Sequence, residues 1–127
     1  MYDELLGQDF GWYALDNVGQ IAIFFTAGQG IIPHLIDNGY ITHQLISDEF
    51  ELPNWGSLNV WDDYAVYGLY VYDWQLQAGS YCRERTPLAT ISIELKGRIT
   101  AIKNIPILNL NFGSTPLVDV VNLIDSR

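Results

Sequence analysis

The side chains that could do chemistry concentrate in the middle of the chain, where five acids lie within sixteen residues. The acids are Asp48, Glu49, Glu51, Asp62 and Asp63, and the aromatic residues among them are Phe50, Trp55 and Trp61. Such carboxylates, with Asp73 farther along, could supply a general acid and a general base. However, adjacent acids on a helix point in different directions, and the alternating order of acids that binds calcium is missing. We therefore expect a charged surface here rather than a catalytic pair.

Candidate metal ligands occur at His34, Asp37 and His43. His34 and Asp37 could share a helix face, but His43 lies beyond an Asn-Gly pair that is expected to break a helix. Zinc sites usually combine closer ligand pairs with a second cluster. The sequence therefore predicts no metal site, and no motif indicates another cofactor.

The single cysteine, Cys82, lies between Tyr81 and Arg83 on a predicted strand. A neighbouring guanidinium can lower the pKa of a thiol, but a reactive thiol also needs an aligned base, and neither histidine lies nearby in sequence. Cys82 is therefore predicted to be a half-buried, unreactive side chain. The glycines of "TAGQGIIPH" lack the continuation of either common phosphate-binding motif. We thus expect a protein that is not an enzyme.

The charge is distributed unevenly along the chain. The 127 residues include 15 acidic and 6 basic side chains, which give a net charge of −9. Eleven acids and no Lys or Arg occur up to Cys82, and all six basic residues follow it. A field of this sign should repel nucleic acid and anionic membranes, and it should attract a basic protein partner.

Three features of the sequence favour a cytoplasmic protein. No apolar run approaches the ~20 residues that a membrane-spanning helix needs. The acidic N-terminus "MYDELLGQDF" lacks the basic and apolar regions of a secretory signal. A single cysteine cannot form an internal disulfide, which agrees with a reducing compartment.

The acidic and aromatic residues together predict a protein-binding surface. Interfaces place aromatic anchors at the centre and charged residues around them. Trp55, beside Pro53 and Gly56 in a predicted loop, is the candidate anchor. We therefore assign partner binding to Asp48, Glu49, Glu51, Trp55, Asp62 and Asp63.

The apolar pattern predicts a single α+β domain over residues 1–127, with an antiparallel β-sheet and a few short helices. A hairpin is predicted over residues 10–28, because alternating and β-branched segments flank the turn residues "NVGQ". Apolar residues on both faces of its second strand indicate a central position in the sheet. One or two short helices are predicted within residues 33–52, with a break at Asn38-Gly39.

A helix followed by a strand is predicted in "SLNVWDDYAVYGLYVYDW", residues 57–74. Ser57 would cap the helix and Gly68 would end it. Its spacing would bury Leu58, Trp61, Tyr64 and Ala65 and would leave Asp62 and Asp63 in solvent. The strand would place Tyr70, Tyr72 and Trp74 on one face and Leu69 and Val71 on the other.

The last third of the chain is predicted to be largely β. Residues 80–87 would pair with the preceding strand, and residues 89–95 and 98–110 are further strand candidates separated by a turn at "KG". Residues 114–124 could form a closing helix with Pro116 in its first turn. They could instead form a strand, because valine is restricted at χ1 in a helix.

Two segments resemble a widespread set of small bacterial proteins. The stretch "WYALDNVGQIAIFFTAGQGIIP" follows a W-[FY]-A-x-D-x-x-G-x-[IV] hairpin that leads to a glycine loop and a proline. The later "YGLYVYDW" and "YCRERTP" follow a G-[LIF]-[FY]-x-Y-D-W strand and a Y-x-R-x-x-x-P strand. Many such proteins look like immunity proteins of bacterial polymorphic-toxin and contact-dependent growth inhibition systems.

That resemblance implies a cytosolic antitoxin-like protein that binds and neutralises one cognate toxin domain. Many such toxins are nucleases with basic active-site clefts, which an acidic protein could occupy or bind beside. Two other hypotheses stay open from the residues alone. One is a binding or regulatory module for another basic protein or a carbohydrate, and the other is a small carboxylate-dependent enzyme.

Overall fold

A five-stranded sheet organises the chain, which a computed structural model describes over residues 10–28, 30–33, 36, 39–57 and 59–119. In order across the sheet, its strands are β1 Gly11–Leu15, β2 Ile21–Phe25, β3 Tyr70–Gln75, β4 Ser80–Arg85 and β5 Leu117–Val118. Neighbouring strands are antiparallel except β2 and β3, which run parallel. The predicted α+β fold with a mainly antiparallel sheet is confirmed, and β2 is central as predicted.

The helices follow from the strand order. Because parallel strands cannot be joined by a tight turn, the chain between β2 and β3 crosses the sheet and forms α1, Tyr40–Ser47, and α2, Val60–Val66. A third helix, α3, Ile93–Thr100, follows β4, and a short 3₁₀ helix spans Phe112–Ser114.

The two faces of the sheet are covered differently. The three helices cover one face with the buried side chains Ile46, Tyr64, Leu95 and Ile99. Less regular segments cover the other face with the buried side chains Ile32, Ile36, Leu108 and Phe112, and Val118 of β5 joins the same core layer. Both faces of the central strands are therefore withdrawn from water, which explains why β2 is apolar on both sides.

The aromatic residues of the strands form a stacked row in the second of these layers. Phe24 lies between Trp12 and Tyr72, with ring centroids 4.3 and 4.7 Å away. The hydroxyl of Tyr81 accepts a hydrogen bond from Trp12 Nε1 at 3.2 Å and donates one to the Ile31 carbonyl at 2.8 Å. The row confirms the predicted alternation in β3, where Tyr72 lies on this face and Val71 on the opposite one.

The turn of the β1–β2 hairpin is built on a buried carboxylate. Asp16 is 2% exposed, and its Oδ1 accepts hydrogen bonds from the amides of Val18 and Gln20 at 3.1 and 2.8 Å. Its Oδ2 accepts from Gln20 Nε2 at 2.7 Å and from the amide of Phe112 at 2.9 Å. One side chain thus joins the first turn of the sheet to a segment near the far end of the chain.

The outer edge of β1 is closed by His43 and the segment after α3. The Tyr13 amide donates to His43 Nδ1 at 3.0 Å, and the two rings stack with centroids 5.9 Å apart. Farther along the edge, the amide of Leu15 donates to the Pro106 carbonyl at 2.9 Å. This covering protects the edge from pairing with another chain. Because Nδ1 accepts, the His43 ring is neutral with its proton on Nε2.

The predicted helix between Ser57 and Gly68 is present but begins later than expected. It starts at Val60, after Asn59, and the Ser57 hydroxyl instead accepts from the Asn59 amide at 3.2 Å in the preceding turn. Ser57 is therefore not the helix cap, while Leu58 lies outside the described residues. Gly68 ends the helix with φ +95°, as predicted, and a Cβ there would lie 2.4 Å from the Ile91 amide nitrogen.

The predicted strands over residues 89–95 and 98–110 are wrong. Leu95 and Ile99 are buried at a spacing of four, so this segment forms α3 and Gly97 lies inside it rather than in a turn. Ser92 caps this helix, because its hydroxyl accepts from the Leu95 amide at 3.1 Å. Between residues 98 and 110, strand-like pairing is limited to an isolated bridge between Leu15 and Ile107.

The closing segment favours the strand alternative over the helix. Leu117 and Val118 pair with Cys82 and Tyr81 of β4, and Val118 is buried. The predicted closing helix is therefore wrong at these residues. The remainder of that prediction, from residue 120 onward, lies outside the described residues.

We expect Asp16→Asn to lower the free energy of unfolding by about 2–4 kcal/mol, because an amide NH₂ cannot accept both hydrogen bonds at one oxygen position. Asp48→Asn, at an exposed acid, is the matched control and should change it by no more than about 0.5 kcal/mol. Urea unfolding of the two variants measures the difference. Equal stability of the two variants would contradict the role given to Asp16.

Burial lowers the pKa of His43 to about 4, from 6.5 in the unfolded chain. The stability that this residue contributes is therefore complete above pH 6.5 and falls as the pH decreases toward 4, by about 3 kcal/mol in total. His43→Asn keeps an acceptor for the Tyr13 amide but does not titrate. Unfolding free energies measured between pH 4 and 7 should decline less steeply in this variant; an unchanged slope would contradict the assignment.

Candidate functional site

A cleft of about 410 Å³ opens beside α1 and is walled mainly by aromatic rings. Its aromatic residues are Phe10, Phe25, Tyr40, Phe50, Trp55 and Tyr64. The polar side chains in its lining are Gln44, Ser47 and Asp48. Among the described residues no Lys or Arg lines it. The cleft thus combines apolar walls with one carboxylate and no positive charge.

The inner walls of the cleft are held in place by ring contacts. Tyr64, which is buried, packs edge-on against Phe25 at 5.0 Å and against Phe50 at 5.5 Å. Phe50 also stacks on Tyr67, with centroids 4.6 Å apart. These contacts fix the rings before any partner arrives, so binding would cost little ordering of the walls.

Trp55 forms the outer rim of the cleft on a loop that precedes α2. Its side chain is 76% exposed, although Trp is a large apolar residue. The loop is held by Asp63, whose two oxygens accept from the amide and from Nδ2 of Asn54, each at 2.8 Å. Since Asn54 directly precedes Trp55, the buried Asp63 carboxylate positions the exposed indole.

The six residues assigned to partner binding divide into three groups in the structure. Asp48 and Glu51 are exposed near Trp55, and no described cation lies within ion-pair distance of either. Asp48 and Trp55 both line the cleft, while Glu51 lies in the loop between them. Asp48 and Trp55 are therefore the two residues of the predicted surface that line one cleft, and Glu51 is exposed in the segment that joins them.

Two of the other acids are paired with the chain's own arginines. Glu49 forms an ion pair with Arg98, and Asp62 forms one with Arg85 at 2.7 Å. The Arg85 guanidinium also lies over the Trp61 ring, 5.4 Å from its centroid. The late basic residues therefore neutralise part of the acidity that the sequence concentrates before Cys82.

The prediction that Asp63 lies in solvent is wrong. It is 7% exposed, because α2 begins at Val60 and turns this side chain toward the loop rather than away from the protein. Its role is to hold Asn54. Asp62, by contrast, is half exposed, with 43% of its side chain accessible.

Sequence reasoning missed the part of the site that comes from α1 and the first hairpin. Tyr40, Gln44 and Ser47 of α1 line the cleft at spacings of four and three, a helical pattern that could have been recognised. Phe10 and Phe25 also line it, but they are distant in sequence and only sheet pairing brings them there. Beside the cleft, Ile41 and Leu45 are 57% and 59% exposed.

The other candidate chemistries find little support in the described residues. Burial raises the pKa of the Cys82 thiol, and the carboxylates of Glu84 and Asp73 raise it further, so the reactive thiolate is disfavoured. No group of three His, Cys, Asp or Glu in this part of the chain could hold a metal ion. His43 contacts Tyr13 instead, and His34 and Asp37 lie outside the described residues.

A membrane-spanning helix is absent from the described residues, since none of their helices has the required length and apolar character. Comparison with known proteins found no family model, curated protein or solved structure that matches the chain.

We expect Asp63→Asn to loosen the loop that carries Trp55, because the Asn54 amide loses a charged acceptor. Amide hydrogen exchange of residues 51–57 should accelerate by about tenfold or more, since each 1.4 kcal/mol of lost local stability gives a factor of ten. Asp62→Asn is the matched control and removes a half-exposed ion pair that does not contact Asn54. Equal exchange in the two variants would contradict the positioning role.

Proposed function

We propose that this protein is a bacterial immunity protein, which binds and neutralises a basic toxin domain in the cytoplasm and catalyses no reaction itself. The observation that carries the proposal is the aromatic cleft lined by the exposed Trp55 and by Asp48, which forms no ion pair with a described residue. Exposed aromatic rings beside free carboxylates are the composition of a protein-binding surface for a cationic partner.

Most of the binding free energy of such a surface would come from its aromatic centre. Trp55 offers a large flat area, and the hydroxyl and amide groups of Tyr40 and Gln44 lie in the same lining. Residues of this type commonly supply most of the binding energy when they become fully desolvated. The exposed Ile41 and Leu45 on the adjoining turns of α1 would extend the apolar contact beyond the cleft.

The charge of the chain supports the same partner by a separate argument. The net charge of −9 would steer a basic domain toward this protein over distances of a Debye length. At the surface, Asp48 and Glu51 are the acids near Trp55 that would meet that domain. Steering and contact thus both favour a positively charged partner. A nuclease domain with a phosphate-binding cleft carries such a charge.

A carbohydrate partner is the second candidate, because an exposed indole such as Trp55 can stack on the face of a sugar ring. The two functions differ in their response to salt. Binding of a basic domain weakens as salt screens the charges, whereas stacking on a neutral sugar does not. A glycan array read at two salt concentrations separates them.

We expect the neighbouring open reading frame to encode a toxin-like domain, and the proposed function is tested by co-expressing that domain with this protein. We expect rescue of growth, co-elution of the pair and an affinity that falls with salt. Trp55→Ala should weaken binding by about tenfold or more, as for a hot-spot residue. The double variant Asp48→Asn/Glu51→Gln should slow association and flatten the salt dependence.

Matched controls come from exposed or polar residues that do not line the cleft. Leu76→Ala, in the β3–β4 turn, removes an exposed apolar side chain, and Glu84→Gln removes one charge on β4. Both should bind like the unchanged protein. Failure of rescue and of co-elution would overturn the proposed function, and equal losses in the controls would overturn the assignment to the cleft.

A further inference from the structure

We infer that the cleft receives one arginine side chain from the partner, with its guanidinium between the Trp55 ring and the Asp48 carboxylate. This inference rests on the proposed function, because it names the chemical group by which a basic partner would be recognised. It is argued from the size of the cleft, its charge and an arrangement that the chain already contains elsewhere.

The size of the cleft suits a single long side chain. Its volume of about 410 Å³ is near the lower end of the 300–1,000 Å³ typical of small-molecule pockets. The eight-residue helix α1 lines the cleft, and so does the loop with Trp55. A helix or strand of the partner could not enter such a space, but one extended side chain could.

The chemistry of the lining favours a cation with a flat face. Aromatic faces carry negative charge density and attract a cation placed over them. Asp48 adds a full negative charge at the rim, and its oxygens accept no hydrogen bond from another described residue. An anion would be repelled, and a neutral side chain would leave the carboxylate without a charged partner.

Arginine fits this lining better than lysine does. The guanidinium is planar, stacks on aromatic rings and donates two parallel hydrogen bonds to one carboxylate. An ammonium group is more strongly hydrated and makes no stacking contact. An indole and a carboxylate in one lining therefore favour arginine among the cationic side chains.

The chain already contains one arginine that contacts both an indole and a carboxylate. Arg85 lies over the Trp61 ring at 5.4 Å, and its Nε donates to Asp62 Oδ1 at 2.7 Å. The cleft offers the corresponding indole and carboxylate, Trp55 and Asp48, but no described arginine lines it. Trp61 and Asp62 of α2 bind Arg85 of the same chain, whereas Trp55 and Asp48 are available to an arginine of another molecule.

The nearest candidate from the chain itself is already engaged. Arg98 forms an ion pair with Glu49 and lines a separate pocket of about 320 Å³. Phe50 and its stacked neighbour Tyr67 border that pocket, and Phe50 also lines the cleft. Arg98 therefore lines this second pocket and is not among the described residues that line the cleft.

The inference is tested by NMR titration of the ¹⁵N-labelled full chain with N-acetyl-arginine amide. We expect shifts of the Trp55 indole N–H, assigned through Trp55→Phe, and a Kd on the order of 1–10 mM, as suits a single side chain without its protein. The matched probe N-acetyl-citrulline amide has the same shape and no charge. It should bind at least about tenfold more weakly, since it loses both the cation–π and the ionic contact.

Variants locate the probe and separate the two proposals. Asp48→Asn should weaken arginine amide binding several-fold, whereas Glu84→Gln should leave it unchanged. Equal binding of citrulline amide, no shift at Trp55, or no effect of Asp48→Asn would overturn the inference, and the proposed function would stand if rescue and co-elution still succeeded. If the probe binds as expected but rescue fails, the proposed function falls and the arginine site remains.

Discussion

The parallel pairing of β2 with β3 is the constraint on which the rest of the structure depends. Antiparallel neighbours can be joined by short turns, as in the β1–β2 and β3–β4 hairpins, but a parallel pair requires the chain to return along the sheet. Residues 26–69 make that return and form α1, the loop with Trp55, and α2. Every part of the candidate site except Phe10, Gly11 and Phe25 comes from this one crossover.

Buried polar side chains hold that crossover and the sheet edges in register. Asp16 ties the first hairpin to the segment at Phe112, His43 of α1 closes the edge of β1, and Asp63 of α2 holds the loop at Asn54. Each accepts at least one hydrogen bond from a backbone amide. In all three cases the interaction joins segments that are separate along the chain, so it specifies tertiary arrangement rather than local structure.

The acidity of the chain therefore serves more than one purpose. Asp16 and Asp63 are internal hydrogen-bond acceptors, and Glu49 and Asp62 are paired with Arg98 and Arg85. Asp48 and Glu51 remain exposed without a described ion pair beside the aromatic cleft. A net charge of −9 consequently does not mean a uniformly acidic surface, and the local surplus near Trp55 carries the functional argument.

The sequence by itself determined the elements whose signals are local. The "NVGQ" turn, the alternation of β3, its pairing with β4 and the end of α2 at Gly68 all follow from residues within a few positions of one another. The residues of α3 were predicted to be strands, because their isoleucines are β-branched and favour strands. The helical spacing of Leu95 and Ile99 was the opposing signal. Only the tertiary structure decided which acids are buried, which are paired and which rings enclose the cleft. Those outcomes depend on contacts such as Arg98 with Glu49 and Phe25 with Tyr64, whose partners are far apart in the chain and meet only after the sheet has formed.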